Sequence, residues 1–214
     1  AATAMVPLLL AACGGLKSKE QVEQTYVLRP AVATGVVGTG TAAAPVPGLL
    51  AVRRPEVQPG LQTARIALVL PGNRLDYYAA SRWSAALPQV IDAFATQSLL
   101  SSGHFELVNG SERGSGGARF LVALTVRHFE ADYADGEKQP PQVHVAFECV
   151  LSTGAPRAPV GRCDGEARVA AAENRMEPIV QAFEAAAREA MAEVTAEVAR
   201  LAAQVPAARP PGGG

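Results

Sequence analysis

The side chains able to do chemistry are few: three cysteines, Cys13, Cys149 and Cys163, and three histidines, His104, His128 and His144. Cys13 ends the run Leu8-Leu9-Leu10-Ala11-Ala12 and is followed by Gly14-Gly15. Leu10-Ala11-Ala12-Cys13 resembles a bacterial lipobox, the site cut by lipoprotein signal peptidases, which need small residues ahead of the cysteine. The resemblance implies a thiol that carries a diacylglycerol as a thioether and a new amine that takes a further acyl chain. At about 0.8 kcal/mol per buried methylene, several chains together hold a soluble domain on a membrane almost permanently. Ala1 to Ala12 holds no charge. It is too short to cross a bilayer core, which takes about 20 residues, and has the length of a secretion signal's apolar core. The other reading, a cysteine buried in an Ala-rich helix, fits poorly with Gly14-Gly15 and the polar stretch after them. The basic segment that precedes such a run is missing, which points to a start upstream of Ala1. Gly14 stands where an Asp would favour inner-membrane retention, and so leans towards the outer membrane.

Behind such a signal lies an oxidising compartment in which disulfides persist. Cys149 and Cys163 are equidistant from Pro156, inside the turn read at "STGAPRAP". Val143, Val145, Phe147, Cys149 and Leu151 alternate onto one strand face, and Gly161, Cys163, Gly165, Ala167 and Val169 share a face of the next strand. The pairing supports a cross-strand disulfide. Two free buried thiols remain the alternative, since a one-residue slip moves one cysteine to the other face. His128 and His144 are equidistant from Gly136, so a cross-strand pair is conceivable. Two imidazoles without a third ligand make a poor zinc site, and both histidines are expected to be solvated, with no metal. There is no G-x-S-x-G, no P-loop and no paired-carboxylate constellation. "GVVGTG" at Gly35 to Gly40 lacks dinucleotide-binding spacing and reads as loop. The chain is expected to bind or to build rather than to catalyse, without a cofactor. Nineteen basic and 20 acidic residues leave a net charge of −1, which argues against a nucleic-acid binder with its basic face.

Positioning these residues falls to a single domain. Residues 1–12 are read as a signal remnant, 13–24 as the lipidated cysteine and its tether, 25–204 as the domain, and 205–214 as a disordered tail. About 180 residues suffice for a real core. Short strands are expected at Thr25 to Leu28, Leu49 to Arg54 and Ala64 to Leu70, with a loop at Pro30 to Pro47 and a turn at Pro71 to Arg74. Trp83, Leu87, Val90, Ile91 and Phe94 fall on one helical face. Pro88 belongs in that helix's first turn, and Gly103 marks its end. Strands follow at Phe105 to Val108, Arg119 to Glu130, Val143 to Leu151 and Val160 to Ala170. Loops fall at Asn109 to Gly117 and around Asp135-Gly136. A second helix, from Met176 to about Gln204, buries Ile179, Val180, Phe183, Ala187, Met191, Val194, Val198 and Leu201. The order β-β-β-α-β-β-β-β-α predicts an α+β two-layer sandwich, a mostly antiparallel sheet with two long helices packed on one face.

From Arg65 to Val108 the sequence resembles the ABC-type transport auxiliary lipoprotein family. The likeness rests on Tyr26-Val27-Leu28 followed by Pro30, on Tyr78 and Arg82-Trp83 ahead of the amphipathic helix, on Ser101 to Val108, and on Leu124 to Glu130 as "LxVxxFE". It extends over most of Cys13 to Gln204; the Ala/Gly/Pro insert at Pro30 to Pro47 and the Pro-Gly tail depart from it. The resemblance implies a periplasmic lipoprotein, anchored in the outer membrane, that serves an MCE-domain protein, a permease and an ATPase in moving phospholipid or other hydrophobic molecules. A homo-oligomeric ring is the assembly it implies. Tyr78, Arg82 and Trp83 are then interface residues, or, as a Trp opening an apolar stripe suggests, core. The Asn109 to Gly117 loop and Asp135-Gly136 are further contact candidates. The alternative function is an outer-membrane assembly or secretion-associated lipoprotein that builds an envelope complex. A periplasmic hydrolase and a hollow lipid-binding core are the remaining readings.

Overall fold

The computed structural model describes residues 22–30, 49–107 and 119–206. Cys13, the segment read as signal and tether up to residue 21, the insert from residue 31, the 109–117 loop and the tail from residue 207 lie outside the described residues. The domain is an α+β sandwich of one mixed nine-stranded sheet and two helices.

The sheet is organised by one long strand. β1 (Gln24–Tyr26), β2 (Leu49–Val52), β3 (Glu56–Val57), β4 (Arg65–Leu70) and β5 (Arg74–Trp83) precede helix α1 (Leu87–Ser101). β6 (Glu106–Leu107), β7 (Phe120–Asp132), β8 (Gln142–Thr153), β9 (Pro159–Ala170) and helix α2 (Met176–Ala203) follow. β7 pairs along its whole length with β8, and β8 with β9, as an antiparallel meander. The other edge of β7 takes three short parallel strands end to end: β2 at Phe120 to Val122, β3 at Thr125 and Val126, and β4 at Ala131 and Asp132. Pro55, between β2 and β3, has no N–H to give the ladder and splits that edge. The long ladders are antiparallel as expected; the short parallel junctions were not legible in the sequence.

Two strands correct the sequence reading. β3 was not expected, and neither was β5, because "RLDYYAASR" mixes polar, aromatic and Ala residues and alternates poorly. Its hairpin with β4 turns at Gly72 and Asn73, with φ of 82° and 60°, the left-handed values these two residue types tolerate. Between Arg65 and Ala67 the pairing shifts from Arg82 to Tyr77, so β5 bulges by several residues, with Ala80 at φ 51°. Trp83 therefore ends a strand instead of opening the helix, and its helical spacing to Leu87 is coincidental. The helix starts at Leu87, with Pro88 in its first turn, and buries Leu87, Val90, Ile91, Phe94, Ala95 and Leu99. The Leu87 N–H, an orphan of the first turn, donates to the Thr63 carbonyl at 3.0 Å.

α2 lies across the inner faces of β8 and β9. Its buried side includes Ala182, Phe183, Ala186, Ala190, Val194 and Val198. At Gly165 a Cβ would stand 2.1 Å from the Ala190 carbonyl oxygen, and at Gly161 one would stand 2.6 Å from a Leu201 methyl. Both glycines exist because the helix backbone comes this close. Trp83, Phe129 and Phe183 close the core where β5, β7 and α2 meet, with ring centroids 5.1–5.8 Å apart. Outside the helix, the Arg29 N–H donates to Glu184 and Arg188 Nε donates to the Arg29 carbonyl, both at 3.0 Å. The Glu184–Arg188 pair thus clips the N-terminal segment onto α2.

Gly165→Ala is expected to destabilise the domain by about 1–3 kcal/mol, because a rigid backbone carbonyl rather than a flexible side chain opposes the new methyl. Urea denaturation of the variant beside the parent checks this, with Gly136→Ala, open but at φ 100°, as the comparison for backbone strain alone.

Candidate functional site

The sheet face away from the helices carries the polar chemistry. Alternation sends Arg162, Asp164, Glu166 and Arg168 of β9 outwards while Cys163, Gly165 and Ala167 turn in. A groove of about 1000 Å³ runs over this face, with four arginines (Arg53, Arg54, Arg127, Arg162) and four carboxylates (Glu56, Glu148, Asp164, Glu166) in its wall. The charges balance and partly pair, as with Arg127 and Glu148 at 2.7 Å. Such a lining would leave charges desolvated under an acyl chain, so this groove does not suit one. A smaller cleft of about 270 Å³, lined by Ser98, Ser102, Met191, Ala192 and Thr195 among others, lies between the end of α1 and α2.

At one end of the groove a β-bulge reshapes β7. The ladder skips between Val126 and His128, which leaves Arg127 unpaired, sets His128 opposite Ala146 and sets Glu130 opposite His144. His128 and His144 become diagonal neighbours with rings stacked 4.0 Å apart at 18°. Glu130 Oε1 lies 2.6 Å from His128 Nδ1 and 3.8 Å from His144 Nδ1. Its other oxygen accepts the Phe129 N–H at 2.6 Å. His144 Nε2 donates to Glu166 Oε1 at 2.8 Å, and Arg168 reaches the same oxygen at 3.4 Å.

This corrects the expectation of a solvated side chain for His144, while His128 is exposed as expected. His144 is 5% exposed and Glu130 8%, and Glu130 supplies the third ligand-bearing group that the pair was thought to lack. The clue was present in His128-Phe129-Glu130, since alternation puts residues two apart on one face. Burial, and then the neighbouring His128, hold the His144 imidazole below its usual range despite the opposing pull of Glu166. The hydrogen bond from His144 in turn lowers Glu166.

The other residues singled out in the sequence lie apart from this cluster. Trp83 is 1% exposed and sits in the core, not on a surface. Tyr78 is half-buried and hydrogen-bonds Tyr133, hydroxyl to hydroxyl, at 2.9 Å, while Tyr133 donates to Asn174 Oδ1 at 2.7 Å. Burial and that neighbour push the Tyr78 hydroxyl far above its ordinary pKa. Arg82 is half-exposed and reaches Glu23 at 3.4 Å. Cys149 and Cys163 face each other across β8 and β9 with Cα atoms 4.9 Å apart, joined as a disulfide under α2.

The model of the ABC-type transport auxiliary lipoprotein component family matches residues 26–199. The chain belongs to that family. Its members are auxiliary lipoproteins of ABC-type transport, which makes this an envelope-associated lipoprotein. A protein of Xanthomonas campestris from the DUF330 family has a similar fold: TM-score 0.71 at 17% identity, over 85% of this chain and 98% of that one. An uncharacterised protein of solved structure gives a TM-score of 0.60 at 16% identity, over 84% of this chain and 98% of the other. At these identities the likeness is one of fold. None of the curated proteins matches this auxiliary lipoprotein.

The disulfide closes a loop for which a stabilisation of about 3 kcal/mol is expected. Intact mass is expected to fall short of the fully reduced value by two hydrogens. A reductant strong enough to reach the buried bond is expected to lower the urea midpoint accordingly.

Proposed function

We propose that the chain is a membrane-anchored periplasmic lipoprotein, lipidated on Cys13, that serves as a non-catalytic scaffold of an ABC/MCE-type transporter of phospholipids or other hydrophobic molecules. The observation that carries this reading is the family match over residues 26–199. Its partners are an MCE-domain protein, a permease and an ATPase. Its place is the periplasmic face of the outer membrane, and a homo-oligomeric ring is its assembly. The cysteines inside the domain support the non-catalytic part, since both are buried and bonded to each other and neither offers a thiolate. β1, paired with β5 at Gln24 to Tyr26, and the Glu23–Arg82 ion pair support the anchoring part, because they hold the end of the described domain from which the chain runs back towards Cys13.

Affinity capture of the full-length lipoprotein from detergent-solubilised native membranes, read by mass spectrometry, is expected to bring down the MCE-domain protein, the permease and the ATPase together. Their consistent absence from the capture, while present in the cell, would move the envelope-assembly alternative to the front. Cys13→Ser is expected to shift the protein from the membrane to the soluble fraction on ultracentrifugation of cell extracts. An unchanged distribution would refute the lipid anchor.

A further inference from the structure

We propose that His128, His144 and Glu130 form a binding site for one divalent transition-metal ion of the zinc class on the outer face of the sheet. The donor set, two imidazoles and a carboxylate, is the type that holds zinc with a coordination position left over. Among the described residues these three groups bring their ligand atoms within 4.8 Å of one another.

The hydrogen bonds assign the atoms. Glu166, as a carboxylate, only accepts, so His144 must donate to it from Nε2 at 2.8 Å. That leaves His144 Nδ1 as an acceptor facing Glu130 Oε1 at 3.8 Å. Oε1 already pairs with His128 Nδ1 at 2.6 Å, whereas His144 Nδ1 faces it at 3.8 Å, too long for a hydrogen bond, and a cation between the two uses the lone pair that His144 turns towards the carboxylate. Metal bonds of about 2.0–2.2 Å at tetrahedral angles separate ligand atoms by about 3.3 Å. The two separations at Oε1, 2.6 Å to His128 and 3.8 Å to His144, straddle that figure. Binding needs the His128 ring, stacked on His144 at 4.0 Å and 18°, to tilt and move outwards, which its 47% exposed side chain allows, and Glu130 and His144 to draw closer. On binding, His128 takes the metal through Nδ1 in the tautomer that carries its N–H on Nε2.

The surroundings are built as outer shells of metal sites are built. A metal-bound imidazole commonly donates its other N–H to a carboxylate, as His144 does to Glu166, and a ligating carboxylate is itself hydrogen-bonded, as Glu130 is to the Phe129 N–H. Arg168 is occupied with Glu166. His128 also lines the groove, so the remaining coordination position is carried to its wall, where water or an anionic group completes the shell. The site does not depend on lipidation or on the transport partners.

The test is calorimetric titration of Zn²⁺ into the full-length chain, purified in detergent without a histidine tag and stripped with chelator, and Co²⁺ titration read by visible absorption. One ion per chain is expected, with the d–d bands of low-coordinate Co²⁺. His128→Ala, which alters a half-exposed side chain and leaves far-UV circular dichroism unchanged, is expected to abolish the saturable binding, as is the isosteric Glu130→Gln. Glu166→Gln is expected to weaken it by about 10–100-fold. Substoichiometric binding by the parent chain, or equal affinity in a folded His128→Ala variant, overturns the proposal.

Discussion

The sheet and everything on it depend on how closely α2 lies against β9. Ala186 and Ala190 on the helix and Gly161 and Gly165 on the strand remove the side chains that would hold the two apart. A backbone-to-backbone approach of this kind excludes water from the whole inner face, so the Val, Phe and Leu residues of β7 and β8 lose their exposure together. The disulfide sits on the same face, with each cysteine 3% exposed. It ties the two strands that carry the helix, where a shift in register would do most harm.

Once the inner face is committed to α2, alternation commits the other face of the meander to polar groups. Arginines and carboxylates follow one another along β9, and the groove above them is charged in both senses. The bulge at Arg127 is the exception to that regularity. Adding one residue to β7 moves Glu130 into line with His144 and turns His128 beside it. A ladder without the bulge would have set Arg127 or Phe129 in that row. The clustering of ligand-bearing groups is therefore a consequence of one local break in pairing.

The single edge of β7 shared by β2, β3 and β4 explains why the first half of the chain was the harder to read. Strands of two to six residues leave little periodicity, and their parallel pairing brings together segments far apart in sequence. β5 was missed for a related reason. It is an outer strand with β1 covering only three of its residues, so it keeps a polar, Ala-rich sequence and a bulge at Ala80. Trp83 matched a helical stripe by spacing, but its ring belongs to the cluster with Phe129 and Phe183.

The amino-acid sequence by itself determined helix α1 and much of the second half of the domain: the alternation of β7, β8 and β9, helix α2, and the symmetry of Cys149 and Cys163 about their turn. Local periodicity and turn chemistry specify these elements. Only the tertiary structure decided where Trp83 goes, how three short strands share an edge, and that Glu130 and Glu166 complete the surroundings of a histidine pair. Those outcomes turn on a register shift and on contacts between segments distant in sequence, and neither leaves a mark in local composition.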